Sequence, residues 1–154
     1  MDVSYDVFTD NFLQKITEYE LSELASDLRA STVDGYLVRA LSEMARVCKD
    51  YFSVDIDEEN RTVSFGGKAV SWKRLNLIEM ANIISEGMIT QWLKPYVNRQ
   101  ENLENVLNTR DFTTYSPSEL LYRVGERYKA SQKEFKQKVY EYTYAYGDLT
   151  RFHI

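Results

Sequence analysis

The chain has 154 residues, of which 44% are apolar and 28% are charged, and its formal net charge is -5. This length is sufficient for one domain with a hydrophobic core. The acidic balance gives no general electrostatic footprint for nucleic acid, although a protein through which DNA merely passes is compatible with it. Polar residues recur every three or four positions even in the most apolar stretch, so we expect no membrane span.

Chemically reactive side chains are scarce. Cys48 and His153 are the single cysteine and histidine, so we expect no intrachain disulfide, no cysteine metal cluster and no catalytic triad. The chain has no glycine-rich phosphate loop. The acidic run that begins at Asp55 fails the spacing of a calcium loop, because its sixth position is Asn60 rather than glycine. We therefore expect no enzyme activity, no metal and no cofactor.

Two helices are predicted in the first third of the chain. The first covers Asp6–Ile16, where apolar residues recur at helical spacing. The acidic segment 17–31 is ambiguous. Leu21, Leu24 and Leu28 suggest one or two helical turns, but we favour a solvated connection. The second helix covers residues 32–52, with Thr32 as its N-cap and one apolar stripe along its length. The residues of this stripe that we expect in the core are Leu37, Leu41 and Met44.

A small β-hairpin is predicted near residues 61–72. The β-prone runs RTVSF and KAVSW flank Gly66-Gly67, and a two-residue glycine turn favours an antiparallel pair of strands. The segment 54–71 is interpreted as a hairpin arm. The sequence leaves open whether this arm stands out from the helical body or caps the core.

The most apolar stretch, 71–98, predicts a central core helix at about 72–95. Its apolar residues share one wide arc of the helix, whereas Glu86 and Thr90 fall on the opposite side, which we expect to be polar. Pro95 lacks an N–H group and should end or kink the helix. The residues expected in the core are Leu77, Ala81, Ile84, Met88 and Trp92.

A second long helix is predicted at about 117–146. Ser116 is a suitable N-cap, Pro117 takes the first helical position, and Gly147 is a stop signal. Apolar residues line one face, and tyrosines project from the opposite face, so contact with another subunit and simple solvent exposure are both open interpretations. The core candidates are Val124, Tyr128, Phe135 and Val139, and the candidates for a protein interface are Tyr122, Tyr140, Tyr144, Tyr146 and Phe152.

These patterns predict a mainly α fold in a single domain over residues 1–154. The expected architecture is a helical bundle with its core at about 5–146 and a C-terminal tail at 147–154. The acidic N-terminus has no apolar run, so no signal peptide is expected.

Several stretches resemble small helical head–tail connector proteins of tailed bacteriophages, the adaptor or head-completion proteins. They are WLKP at 92–95, the run from Asp111-Phe112 to Tyr115-Ser116-Pro117, and Tyr144–Leu149. The resemblance covers about residues 5–149. It implies a structural virion protein of the neck, made in the host cytoplasm, that forms a ring of about a dozen copies.

The resemblance also implies the partners of such a ring. They are further copies of the chain, the portal protein above it, and the neck or tail proteins that use it as an attachment platform. DNA would be a passing duplex without sequence-specific binding. The alternative is a small helical regulatory or interaction module of a phage or bacterium that binds a single protein partner.

Overall fold

Helices account for most of the chain. The computed structural model describes residues 2–48, 53–66, 74–98 and 117–146, without the side chains of 26–27, 74–76, 117 and 143–146. The predicted mainly α fold with a small β-hairpin is confirmed. In the described residues the helices are α1 (Asp6–Glu18), α2 (Ala30–Cys48), α3 (Arg74–Asn98) and α4 (Pro117–Tyr146), and the strands are β1 (Asp2–Ser4), β2 (Ser53–Asp57) and β3 (Thr62–Gly66).

Helix α3 lies at the centre and packs against α1, α2 and α4. Every residue from 83 to 90 is buried, so the middle of this helix has no solvent-exposed side. The Trp92 ring meets the Phe12 ring edge-on, with centroids 6.0 Å apart. The side of α3 that was expected to be polar is exposed only towards the ends of the helix, at Glu79 and Lys94, whereas Glu86 and Thr90 are buried. Side chains from α1 and α4 cover that side of the helix.

The residues expected in the core lie in the interior. Leu77 and Tyr128 are half-buried and pack against the core. Gly87 explains how closely α3 and α4 approach each other, because a Cβ at this position would stand 2.8 Å from Cε2 of Phe135. The fully buried candidates are Leu37, Leu41, Met44, Ala81, Ile84, Met88, Trp92, Val124, Phe135 and Val139.

Two helix boundaries differ from the prediction. Helix α2 begins at Ala30, two residues before Thr32, which therefore lies inside the first turn and is not the N-cap. Helix α3 continues through Pro95 to Asn98. A proline this close to the C-terminus removes one backbone hydrogen bond, and the next residue, Tyr96, packs against the core. Residues 49–52 and 72–73 of the predicted helices lie outside the described residues.

The connection between α1 and α2 is less solvated than predicted. It contains a short 3₁₀ helix, Leu24–Asp27. Leu21 and Leu24 are 1% and 2% exposed, so both side chains belong to the core. Burial of each leucine side chain stabilises the fold by about 2 kcal/mol. This gain accounts for the burial of both leucines in a segment whose other residues are largely acidic.

The sheet has β3 as its central strand, in the order β1-β3-β2, with both pairs antiparallel. A small hairpin is present, but its second strand is β2, which precedes β3, and not KAVSW as predicted. The run KAVSW, which we predicted as that strand, lies outside the described residues. With β1 and β2 on its two edges, β3 has no edge left for a third strand.

The hairpin caps the helical core. Val63 and Phe65 are buried, and the Phe65 ring lies 6.0 Å from the Phe8 ring of α1, measured between centroids. Arg61 fixes the hairpin turn to the helices, because its Nε and Nη2 donate to Asp34 of α2 and its Nη1 donates to Asp6 of α1. The described part of the hairpin is thus attached to the body and is not a projecting arm.

Candidate interaction surface

Helix α4 presents a continuous exposed face. Its opposite face is buried against α3 and α2. At 100° per residue, six exposed side chains of α4 fall within an arc of about 80° and extend over about 27 Å. We call this set the α4 outer stripe, and its members are Tyr122, Glu126, Lys129, Lys133, Lys136 and Tyr140.

The two ends of the α4 outer stripe are tyrosines predicted as interface residues. Tyr122 is 69% exposed and Tyr140 is 56% exposed. Both are among the most exposed large apolar side chains of the described chain. Tyrosine combines a large contact area with a polar tip, which is why it is enriched at protein interfaces. Of the other interface candidates, Tyr144 and Tyr146 belong to α4 but their side chains are not described, and Phe152 lies outside the described residues.

Each of these tyrosines borders a depression in the surface. Tyr122 lies on the wall of a cavity of about 600 Å³ between the end of α1 and the first half of α4. Arg123 and Arg127 line this cavity together with four glutamates. Tyr140 borders a smaller cavity of about 230 Å³ between α2 and α4, where Val47 and Val139 supply apolar lining. A partner could insert side chains at both ends of the stripe.

A buried ionic cluster links α1, α3 and α4 beside the larger cavity. Glu86 of α3 is 1% exposed, and its Oε1 accepts a hydrogen bond from Lys15 Nζ at 3.1 Å. The Tyr19 hydroxyl donates a short hydrogen bond to the same oxygen. Arg127 lies over the Tyr19 ring, with Cζ 3.9 Å from the centroid, and its Nε donates to Ser131 Oγ at 3.0 Å. These contacts fix the position of Arg127, which lines the cavity.

The Glu86 carboxyl is ionised despite its burial. Burial raises its pKa, but hydrogen bonds from Tyr19 and Ser131 and the charge of Lys15 outweigh that effect, so the net pKa lies below the usual value. Burial, and then the hydrogen bond to Glu86, raises the pKa of the Tyr19 hydroxyl, which stays protonated as a donor. The cluster is thus a fixed charge pair that joins three helices.

Sequence reasoning did not find this cluster. The signal was present in Ile83 and Leu93, two apolar residues of α3 that fall outside the predicted arc. Both are buried on the side that was expected to be polar. A helix that is apolar on more than one side is packed on more than one side. Its ionisable residue then requires partners from other helices.

Helix α1 presents a second exposed face, of opposite charge. Leu13, which is 46% exposed, lies in its middle. Lys15 points inward to Glu86, so the exposed face has no basic residue. We call this set the α1 outer stripe, which covers an arc of about 140°, and its members are Asp6, Asp10, Leu13, Gln14, Thr17 and Glu18.

Comparison with known proteins gives no family assignment, since no family model, no curated protein and no solved structure matches the chain. Within the ranges described above, no three His, Cys, Asp or Glu residues are grouped so that they could hold a metal ion. None of the helices in those ranges is long and apolar enough to span a membrane.

Proposed function

We propose that the chain is a structural subunit of a phage head–tail connector, a ring that docks below the portal, extends the DNA channel and carries the neck or tail proteins. The resemblance of the 92–95 and 111–117 motifs to connector proteins supports this function. So does the α4 outer stripe, and the observation that carries the proposal is the exposure of Tyr122 and Tyr140 on the same face of one helix.

A ring subunit has to bind a neighbour on each of two different faces, because closed rings use head-to-tail interfaces. Exposed aromatic side chains beside cavities are suited to such contacts, since a partner can bury them and fill the space around them. The close packing of α4 on α3 holds the α4 outer stripe in a fixed position on the subunit, which favours a defined interface. In this proposal the chain has no catalytic role.

The acidic charge of -5 suits a channel protein. A wall that bound phosphate groups strongly would retard the passing duplex, because each neutralised phosphate adds to the affinity. A wall without a basic stripe lets DNA slide. The α4 lysines would face neighbouring subunits in this arrangement and not the channel.

The test is binding of the purified chain to DNA-filled, portal-containing heads of the virus that encodes it, viewed by electron microscopy. We expect a ring of added density directly below the portal. A second, independent check is gene position, since a connector gene is expected between capsid and tail genes.

Intact portals that acquire no density would contradict the connector function. The alternative, a regulatory module with one protein partner, would then be favoured. It predicts a single stoichiometric partner recovered from infected cells and a gene outside the capsid and tail cluster.

A further inference from the structure

We propose that the α4 outer stripe of one subunit binds the α1 outer stripe of the next copy of the chain. The inference rests on the proposed function, because it identifies the two faces through which the ring would close. It commits to a second copy as the occupant of the α4 outer stripe. The reasons are the charges of the two stripes, their dimensions and their positions around α3.

The two stripes have opposite charges. The α4 outer stripe carries three lysines and one glutamate. The α1 outer stripe has no basic residue and carries three carboxylates, of which Asp6 is already paired with Arg61. Within the described part of the chain, Lys129, Lys133 and Lys136 form no ion pair. Complementary charges across an interface raise the association rate and select the orientation of the partners.

The dimensions of the charged sections also match. Along a helix, Asp10 and Glu18 are separated by about 12 Å, and Lys129 and Lys136 by about 10 Å. Leu13 lies between the two carboxylates and is 46% exposed. A neighbouring α4 laid along α1 could thus pair its lysines with the carboxylates while Leu13 packs against their alkyl chains.

Self-pairing of either stripe is less favourable. Two α4 outer stripes brought together would place six lysines against two glutamates, and two α1 outer stripes would place carboxylates against carboxylates. Like charges that face each other across an interface are repulsive. The favoured contact therefore joins two different faces, as a ring requires.

The positions of the helices allow both contacts at once. Helices α1 and α4 both pack on α3, and α2 contacts both of them. Near one end the two stripes adjoin, because Glu18 and Tyr122 line the same cavity. The stripes extend away from this cavity, which neither Asp10 and Leu13 of α1 nor Lys133 and Lys136 of α4 line. One subunit can therefore bind one neighbour through that part of α1 and another through that part of α4. A contact between two single helices is small, so we expect each interface to be weak and to gain stability from ring closure.

Charge reversal tests the interface. One variant carries Asp10→Lys with Glu18→Lys, which makes both stripes basic. The other carries Lys133→Glu with Lys136→Glu, which makes both stripes acidic. All four positions are exposed, and circular dichroism with thermal unfolding confirms that each variant is folded. Arg39→Glu on α2, at an exposed position that lies outside both stripes and lines neither cavity, is the control for charge reversal.

Assembly is measured on portal-containing heads by electron microscopy and in free solution by sedimentation velocity over about 10–500 μM, a range suited to weak interfaces. We expect each charge-reversed variant alone to lose assembly by at least about tenfold in occupancy or affinity, and the α2 control to assemble like the wild type. Mixing the two variants should restore assembly, because each stripe of one then meets its complement on the other.

The outcomes separate this inference from the proposed function. If the wild type forms a ring on heads and both variants still do so, the interface is wrong and the connector function stands. If the wild type forms no ring, the connector function fails, and sedimentation alone then decides the interface. Loss of self-association in each variant with recovery on mixing supports the interface. When sedimentation alone decides, three results overturn the interface: no self-association of the wild type, equal association of all variants, or loss in the α4 variant alone, which indicates symmetric α4 pairing.

Discussion

The two longest helices of the chain differ in what surrounds them. Helix α3 is enclosed by α1, α2 and α4, and all its residues from 83 to 90 are buried. Helix α4 is buried along one face and exposes tyrosines and lysines along the other. Changes to α3 should therefore act on folding, whereas changes to the α4 outer stripe should leave the fold intact and act on binding.

The largest effect is expected from Trp92 in the interior. Trp92→Ala removes a fully buried ring that contacts Phe12, so we expect a loss of about 3–5 kcal/mol in the free energy of unfolding. The matched control is Ile78→Ala on the same helix, where the side chain is 50% exposed and the loss should stay below about 1 kcal/mol. Chemical denaturation measures both. Similar losses for the two variants would contradict the distinction between the enclosed and open parts of α3.

The next effect is expected from the ionic cluster. Glu86→Gln leaves Lys15 without its charge partner at a buried site, so we expect a loss of about 3 kcal/mol at neutral pH. The control is Lys138→Gln, which breaks the exposed pair between Lys138 and Glu134 and should cost less than about 1 kcal/mol. Equal losses for both variants would show that burial adds nothing to the Glu86 pair.

The pH dependence of the free energy of unfolding gives a second test of how much the Glu86 carboxylate stabilises the fold. Its pKa is lower in the folded chain than in the unfolded chain, so the unfolded chain binds the proton first as pH falls. The stabilisation is complete above the ordinary glutamate pKa of about 4.3 and is lost as pH falls through the lower pKa of the folded state. The wild type should therefore lose more stability than Glu86→Gln between about pH 5 and pH 3. Parallel curves for the two proteins would contradict this.

A smaller difference between the two helices is expected when a glycine of each is replaced by alanine. Gly87→Ala places a methyl group against the buried Phe135 ring of α4, and we expect a net loss of about 1–2 kcal/mol despite the better helix propensity of alanine. Gly125→Ala on α4 meets no atom within 4 Å. It should therefore stabilise the chain by about 0.5–1 kcal/mol. Thermal unfolding measures both, and a stabilised Gly87→Ala variant would mean that the ring moves aside at little cost.

One-sided elements could be predicted from the sequence. The α2 stripe of Leu37, Leu41 and Met44 packs as expected, because a helix with one apolar face has one way to bury it. The exposure of Tyr122 and Tyr140 follows from the same rule, since both lie opposite the buried face of α4. Local periodicity contains all the information that such elements require.

The remaining features depend on contacts between distant parts of the chain. Glu86 is buried because Lys15, 71 residues earlier, supplies its charge partner. The Gly66-Gly67 signal suggested a local hairpin turn, but β3 pairs with β2 before it and with β1, where Asp2 meets Ser64. The pairing of β1 with β3 joins distant residues and is set by the tertiary structure. The pairing of β2 with β3 is local, with Asp57 opposite Thr62, but it lies on the other side of β3 from the Gly66-Gly67 signal.

The measurement that tests the distinction between α3 and α4 most directly is a comparison of wild type with the double variant Tyr122→Ser, Tyr140→Ser. We predict that the free energy of unfolding of the variant lies within about 1 kcal/mol of the wild-type value, because both side chains are exposed. We also predict that the variant forms no ring on portal-containing heads at concentrations where the wild type does. A variant that is unfolded under native conditions, or one that still forms the ring at wild-type occupancy, would contradict the assignment of the α4 outer stripe to assembly.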